Sequence, residues 1–152
     1  MTDCYACRLS TGELPLLGGR IAETEHWLVE HCQGPLGVGT LIVKPRRHVL
    51  HVHALDEAEA REMGPLLREA SRVVEALTGA DQVYVCLWSH AGWQPVHIHY
   101  VVQPAFAHMR DHFSGGGPTL QSEMFRAGEP LPEAEVEAYC EQARAIFQTD
   151  TA

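Results

Sequence analysis

The sequence predicts an α+β domain: an antiparallel sheet of about five strands with a central helix and a C-terminal helix. Three observations lead there. Short apolar and β-branched runs are separated by glycine- and proline-bearing turns, which reads as strands. One long stretch repeats its apolar residues at helical spacing. Strands and helices do not alternate regularly, so a parallel sheet of βαβ units is not expected.

Taken in order, the chain opens with Cys4-Tyr5-Ala6-Cys7 and a turn-rich stretch through Pro15 and Gly18-Gly19. Arg20 to Ala22 and Trp27 to His31 read as two short strands joined by the polar Glu23-Thr24-Glu25, with His26 and His31 on the strand surface. Gly34, Pro35, Gly37 and Gly39 mark a turn region before the run Thr40-Leu41-Ile42-Val43, which ends at Lys44-Pro45-Arg46-Arg47-His48. Asp56 with Glu59 three residues on is a helix start, because each side chain can satisfy a free backbone N–H. Met63, Leu66, Leu67, Ala70, Val73, Val74 and Leu77 then form one apolar stripe ending at Gly79. Pro65 inside it is expected to kink or restart the helix. Strands follow at Val83 to Trp88 and Val96 to Val102. The chain beyond Pro104 reads as irregular through Gly115-Gly116-Gly117. A second helix begins near Pro132, with Val136, Tyr139, Cys140, Ala143, Ile146 and Phe147 on one face.

Composition bounds the function. The chain has 152 residues, 45% hydrophobic and 20% charged, ordinary for a soluble globular protein and enough for one core. Residues 1–152 therefore read as a single domain, without an internal repeat or low-complexity linker. No apolar run approaches the ~20 residues that span a bilayer, and the N-terminus opens on polar residues, so membrane and secreted roles are not expected. A net charge of −9 argues against long nucleic acid as a partner. Five cysteines without a signal sequence fit a reducing cytoplasm, where paired cysteines bind metal more often than each other.

Two features carry chemistry. On the strand Val96 to Gln103, side chains alternate, so Val96, Ile98, Tyr100 and Val102 make an apolar face while His97, His99, Val101 and Gln103 project from the other. His97 and His99 then lie about 7 Å apart, close enough to serve one site in different roles. Cys4 and Cys7 have the C-x-x-C spacing that lets two thiolates reach one tetrahedral zinc. Histidines are the natural completion, with His48 and His97 chosen and His51 and His53 as alternatives for the third position. A redox pair is the other reading of a lone C-x-x-C.

These residues resemble, in order, the landmarks of the histidine triad (HIT) superfamily: Cys4-x-x-Cys7, Arg20-Ile21-x-Glu23-Thr24, Leu41-Ile42-Val43-x-Pro45-Arg46-Arg47-His48 and His97-x-His99. The resemblance runs from Cys4 to about Pro104, a motif-bearing core, with residues 105–152 a C-terminal extension carrying a helix. It implies the HIT-like α+β fold and a homodimer. It also implies cleavage of phosphoanhydride or phosphoramidate bonds in nucleotides, by hydrolysis or nucleotidyl transfer through a covalent nucleotidyl-histidine. By position the nucleophile is His99. A neutral imidazole attacks phosphorus without prior deprotonation, and the phosphoramidate hydrolyses readily. In zinc-carrying members the first motif histidine, here His97, joins two cysteines and the histidine matching His48. Cys4, Cys7, His48 and His97 would then hold a structural zinc with no position open for water.

The chain departs from the pattern in three places. Val101 stands where the third motif histidine assists the leaving group; Gln103, one step along the same face, is the candidate replacement. The acid that holds the ribose in hydrolytic members falls near Cys32. Gly92-Trp93-Gln94 replaces Gly-Gln, so Gln94 is a candidate phosphate contact, with Ser89 and His90 as further polar candidates. Trp88 and Trp93 either stack on a base or cover the sheet's end. Lys44, Arg46 and Arg47 form a basic patch that either attracts an anion or is simply solvated. His108 and His112 read as surface residues, and Cys86 and Cys140 as small core hydrophobes. The leading expectation is an enzyme acting on a nucleotide or nucleotide conjugate. The alternative is a catalytically weak or inactive nucleotide-binding protein with a structural zinc.

Overall fold

The computed structural model describes residues 3–90 and 96–149. Its element order is α1 (Tyr5–Ser10), β1 (Arg20–Glu23), β2 (Trp27–His31), β3 (Leu41–Pro45), α2 (Glu57–Thr78), β4 (Gln82–Trp88), β5 (His99–Ala105), α3 (Ala107–His112), α4 (Pro118–Ala127) and α5 (Glu133–Thr149). The five strands form one antiparallel sheet in the order β1-β2-β3-β5-β4. The predicted α+β architecture is the observed one.

Helix α2 begins as its sequence dictates. The Asp56 carboxylate accepts from the Glu59 N–H, and the Glu59 carboxylate accepts from the Asp56 N–H, both at 2.8 Å. The helix does not restart at Pro65 and runs continuously past it. Pro65 lies on the exposed face, so the carbonyl that loses its N–H partner can turn to water. Gly79 closes the helix with φ +63°, a conformation open to glycine at no steric cost.

The sheet is covered on both faces. On one, Trp27, Val29, Leu41, Val43 and Val102 pack against Leu66, Ala70, Val73 and Val74 of α2. Val136, Tyr139, Cys140, Ala143 and Phe147 of α5 join the same core, so the C-terminal helix completes it. On the other face, Cys32, Leu36, Val101 and Ala105 pack against Leu120 and Met124 of α4. The face of β5 that carries Val101 and Gln103 is thus partly an interior. All five residues of β2 are buried, including His31, whose expected surface position is overturned. His31 Nδ1–H donates to the Cys32 carbonyl at 2.7 Å, and Nε2 accepts from the Gly39 N–H at 2.9 Å, so both ring nitrogens are satisfied inside.

Three further corrections concern element boundaries. Helix α1 stands where turns were expected. Helix α3 lies within the stretch read as irregular, and α4 follows it in residues 118–131, where no element was expected. Strand β5 starts at His99 and not Val96. The Ile98 N–H instead reaches the Val49 carbonyl at 2.8 Å, which ties His97 to the segment after β3.

Candidate functional site

The site is assembled from α1, the end of β3 and the start of β5. Cys4 caps α1 and Cys7 lies one turn along it, so both thiols leave the helix on the same side. Their partners are His48 and His97. Cys7 Sγ is 3.3 Å from His48 Nδ1 and 3.5 Å from His97 Nδ1, and Cys4 Sγ is 3.9 Å from His97 Nδ1. The four donor atoms all lie within 4.8 Å of one another. Tetrahedral bonds of about 2.3 Å to sulfur and 2.0 Å to nitrogen separate neighbouring donors by roughly 3.3–3.8 Å, so the set fits one ion with little adjustment. His97 Nε2–H donates to the Pro45 carbonyl at 2.9 Å, which leaves the Nδ1 lone pair facing the thiols. Burial pushes His97 down to about 4, keeping its imidazole neutral. Burial, with Cys4 beside it, pushes the Cys7 thiol up to about 11; a bound cation favours the thiolate and opposes that shift. His51 and His53 stack on each other, exposed and apart from this group.

Beside the Cys4–Cys7–His48–His97 cluster lies a cavity of about 290 Å³. Its wall carries His99 from β5, Glu30 and Cys32 from β2 and its continuation, Ile42 and Lys44 from β3, Tyr5 and Leu9 from α1, and Phe125 from α4. Register explains the juxtaposition. Glu30 pairs with Ile42, and Ile42 pairs with Val101. Lys44 and His99 each lie two residues along from that row, on the same face. His99 Nδ1–H donates to the His97 carbonyl at 2.9 Å, which fixes the tautomer and leaves the Nε2 lone pair free to attack. Burial lowers the His99 pKa, and the nearby His90 and Lys44 charges act in the same direction.

Several sequence-predicted residues take other roles. Val101 belongs to the apolar cluster under α4. Gln103 is fully buried there, its amide donating to the Leu36 carbonyl and facing Met124 Sδ. Ser89 is exposed, and Gln94 and Trp93 lie outside the described residues. Trp88 donates from Nε1 to Gln121 and stacks on His90, whose ring is 6.4 Å from that of His99. His108 and His112 line a separate cavity with Met109 and Pro132. The basic patch is neutralised: Lys44 is buried against Glu30, Arg46 pairs with Glu23, and Arg47 with Glu59. Sequence reasoning missed Glu30, Tyr5, Leu9 and Phe125, since nothing in their spacing links β2, α1 and α4.

No family profile matches the chain. A curated relative, an uncharacterised HIT-like protein of Borreliella burgdorferi, is 26% identical over 131 residues, 83% of this chain and 93% of its own. Among solved structures, a zinc-bound histidine triad family protein from Mycobacterium smegmatis superposes with a TM-score of 0.70 at 21% identity, covering 99% of this chain and 97% of its own. A hypothetical histidine triad nucleotide-binding protein from Sulfolobus tokodaii gives 0.71 at 18% identity, covering 96% and 93%. The chain has the histidine triad fold.

Proposed function

We propose that this chain is a histidine triad protein that cleaves phosphoanhydride or phosphoramidate bonds of nucleotides, with His99 as nucleophile. The observation that carries the reading is the His99 tautomer: with Nδ1–H held by the His97 carbonyl, Nε2 is the basic nitrogen of a residue lining a ligand-sized cavity. His99 Nε2 attacks phosphorus, an N–P bond forms, and the bond to the leaving group breaks. Water then attacks the same phosphorus and releases the imidazole; in transfer, an acceptor hydroxyl or phosphate takes water's place. His90, the neighbouring imidazole, supplies the proton the leaving group needs, the role that Val101 leaves vacant.

Cys4, Cys7, His48 and His97 would hold zinc, and the chemistry it supplies is a structural cross-link between α1 and the start of β5. The zinc-bound relative and the donor spacing support that identity. We place the protein in the cytoplasm as a single domain and a homodimer. Thiol ligands favour a reducing compartment, and no described helix is long and apolar enough to cross a membrane. Strand β4 is a sheet edge with Val85 exposed, which suits pairing with a second copy.

The test is a turnover screen over adenosine and guanosine phosphoramidates, diadenosine polyphosphates and nucleotide sugars, with His99→Ala beside wild type. Turnover confined to wild type is expected. Equal rates in both proteins refute the nucleophile. Saturable binding without turnover by either moves the reading to a nucleotide-binding protein with its chemistry lost.

A further inference from the structure

Helix α4 lies outside the motif-bearing core, yet its inner face reaches the residues around His99. Buried Leu120 and Met124 anchor the helix on the sheet, and Gln121, beside Leu120, is 1% exposed. Gln121 Oε1 accepts from Trp88 Nε1–H at 2.8 Å. Its Nε2 is buried with no hydrogen-bond acceptor beyond the weak one that the adjoining Cys86 sulfur offers. An apolar side chain of the same volume would avoid that cost, so the amide is explained by what it holds and not by stability.

What it holds is the indole. Trp88 pairs with His99 across β4 and β5, so the two side chains stand next to each other on the face that α4 covers. With Nε1–H held by Gln121, the indole cannot turn about its terminal torsion without breaking a buried hydrogen bond, which sets the tilt of its face. His90 stacks on that face, with ring centres 6.1 Å apart and planes 15° from parallel. The His90 ring is in turn 6.4 Å from that of His99. Strand β4 ends at Trp88, so His90 stands beyond the strand pairing and the indole gives it a fixed surface.

We propose that Gln121 is a positioning residue for the leaving-group proton, holding His90 beside His99 through Trp88, an inference that rests on the cleavage reading above. As the bond from phosphorus to the leaving group breaks, its electron pair stays on the leaving atom and the proton on His90 moves to it. The water that then attacks the nucleotidyl-histidine gives up a proton, which restores His90. A proton donor must stay within hydrogen-bond reach of the leaving atom, and a displacement of about 1 Å can cost on the order of 10²-fold in rate. The chain thus steadies its proton donor from α4, since Val101 leaves β5 without one.

The test uses the full-length metal-loaded protein and two substrates sharing one nucleotidyl group from the turnover screen, joined to an alkylamine in one and to p-nitrophenol in the other. The amine departs only with a proton; p-nitrophenolate departs without one. Leaving-group release in the first turnover is compared for wild type, Gln121→Leu and Trp88→Phe. Gln121→Leu removes the acceptor at similar volume, and Trp88→Phe removes the donor while keeping an aromatic face. Each is expected to slow amine release roughly tenfold or more, part of the about 10²–10⁴-fold that a positioned proton donor contributes, and to leave p-nitrophenolate release unchanged. The double variant should be no slower than the slower single one, because the two residues act as one link. Equal losses with both leaving groups assign Gln121 a merely structural role, and undiminished amine release removes it from the mechanism; either overturns the inference with the cleavage reading intact. If Gln121→Leu does not fold, Trp88→Phe is read by the same ratio. A wild type that releases neither leaving group refutes the cleavage reading and this inference together.

Discussion

Replacing Lys44 with Met removes the cation from an ion pair whose side chains are 1% and 3% exposed. The Glu30 carboxylate then stays buried without its counter-charge, and the Ala6 carbonyl keeps only the Ser10 hydroxyl of its two side-chain donors. Breaking a buried pair on one side costs about 3–5 kcal/mol. For a chain of this length each kcal/mol moves Tm by about 2–4 °C, so Lys44→Met should melt roughly 6–20 °C below wild type. The double variant Glu30→Met, Lys44→Met removes both charges and keeps similar volume. It should recover to within about 1–2 kcal/mol of wild type, the remainder being the hydrogen bond that Lys44 gave the Ala6 carbonyl. Calorimetry and urea unfolding of the metal-loaded proteins at pH 7 provide the comparison. A double variant no more stable than Lys44→Met would show that the charges are not what couples β2 to β3. The electrostatic account of the pair would then be wrong.

Removal of the metal with a chelator should lower Tm by well over 10 °C and loosen α1, and elemental analysis of protein as purified should give about one zinc per chain; unchanged melting or no bound metal contradicts the cross-link. His31 sets an acid limit. Its folded pKa is held below the ordinary 6.5 by burial, so the unfolded state binds the extra proton first. The contribution is full above about pH 6.5 and is lost as pH falls below it. The urea midpoint of wild type should therefore fall more steeply between pH 7 and 5 than that of His31→Gln, and parallel slopes refute this. Val85→Lys on the β4 edge should convert a dimer to a monomer in light scattering while leaving the circular dichroism unchanged; a dimer that persists excludes this edge as the interface.

The features legible in the sequence were those written locally. The Asp56–Glu59 cap and apolar stripe defined α2, and the C-x-x-C spacing marked two of the four residues of the Cys/His cluster. The β-branched run marked β3 because its residues fill the core on one face. What stayed hidden depends on pairing between distant elements. Glu30 and Lys44 are 14 residues apart and meet only because β2 and β3 share a register that pairs Leu28 with Lys44. The burial of His31 requires knowing that both faces of β2 are covered. Helix α4 escaped notice because its buried stripe of Leu120, Gln121 and Met124 includes an amide, diluting the periodic signal. That helix supplies Phe125 to the cavity and the cover over Val101, so this side of the pocket was unreadable without it.

The central claim is that His99 becomes covalently nucleotidylated. Wild type and His99→Ala, each mixed with a substrate found in the turnover screen, should be quenched in milliseconds to seconds and weighed intact by mass spectrometry under conditions that preserve phosphoramidates. Wild type should carry one added nucleotidyl mass per chain, mapped by fragmentation to His99, and His99→Ala none. Turnover by wild type with the adduct on another residue, or undiminished turnover by His99→Ala, would contradict the account.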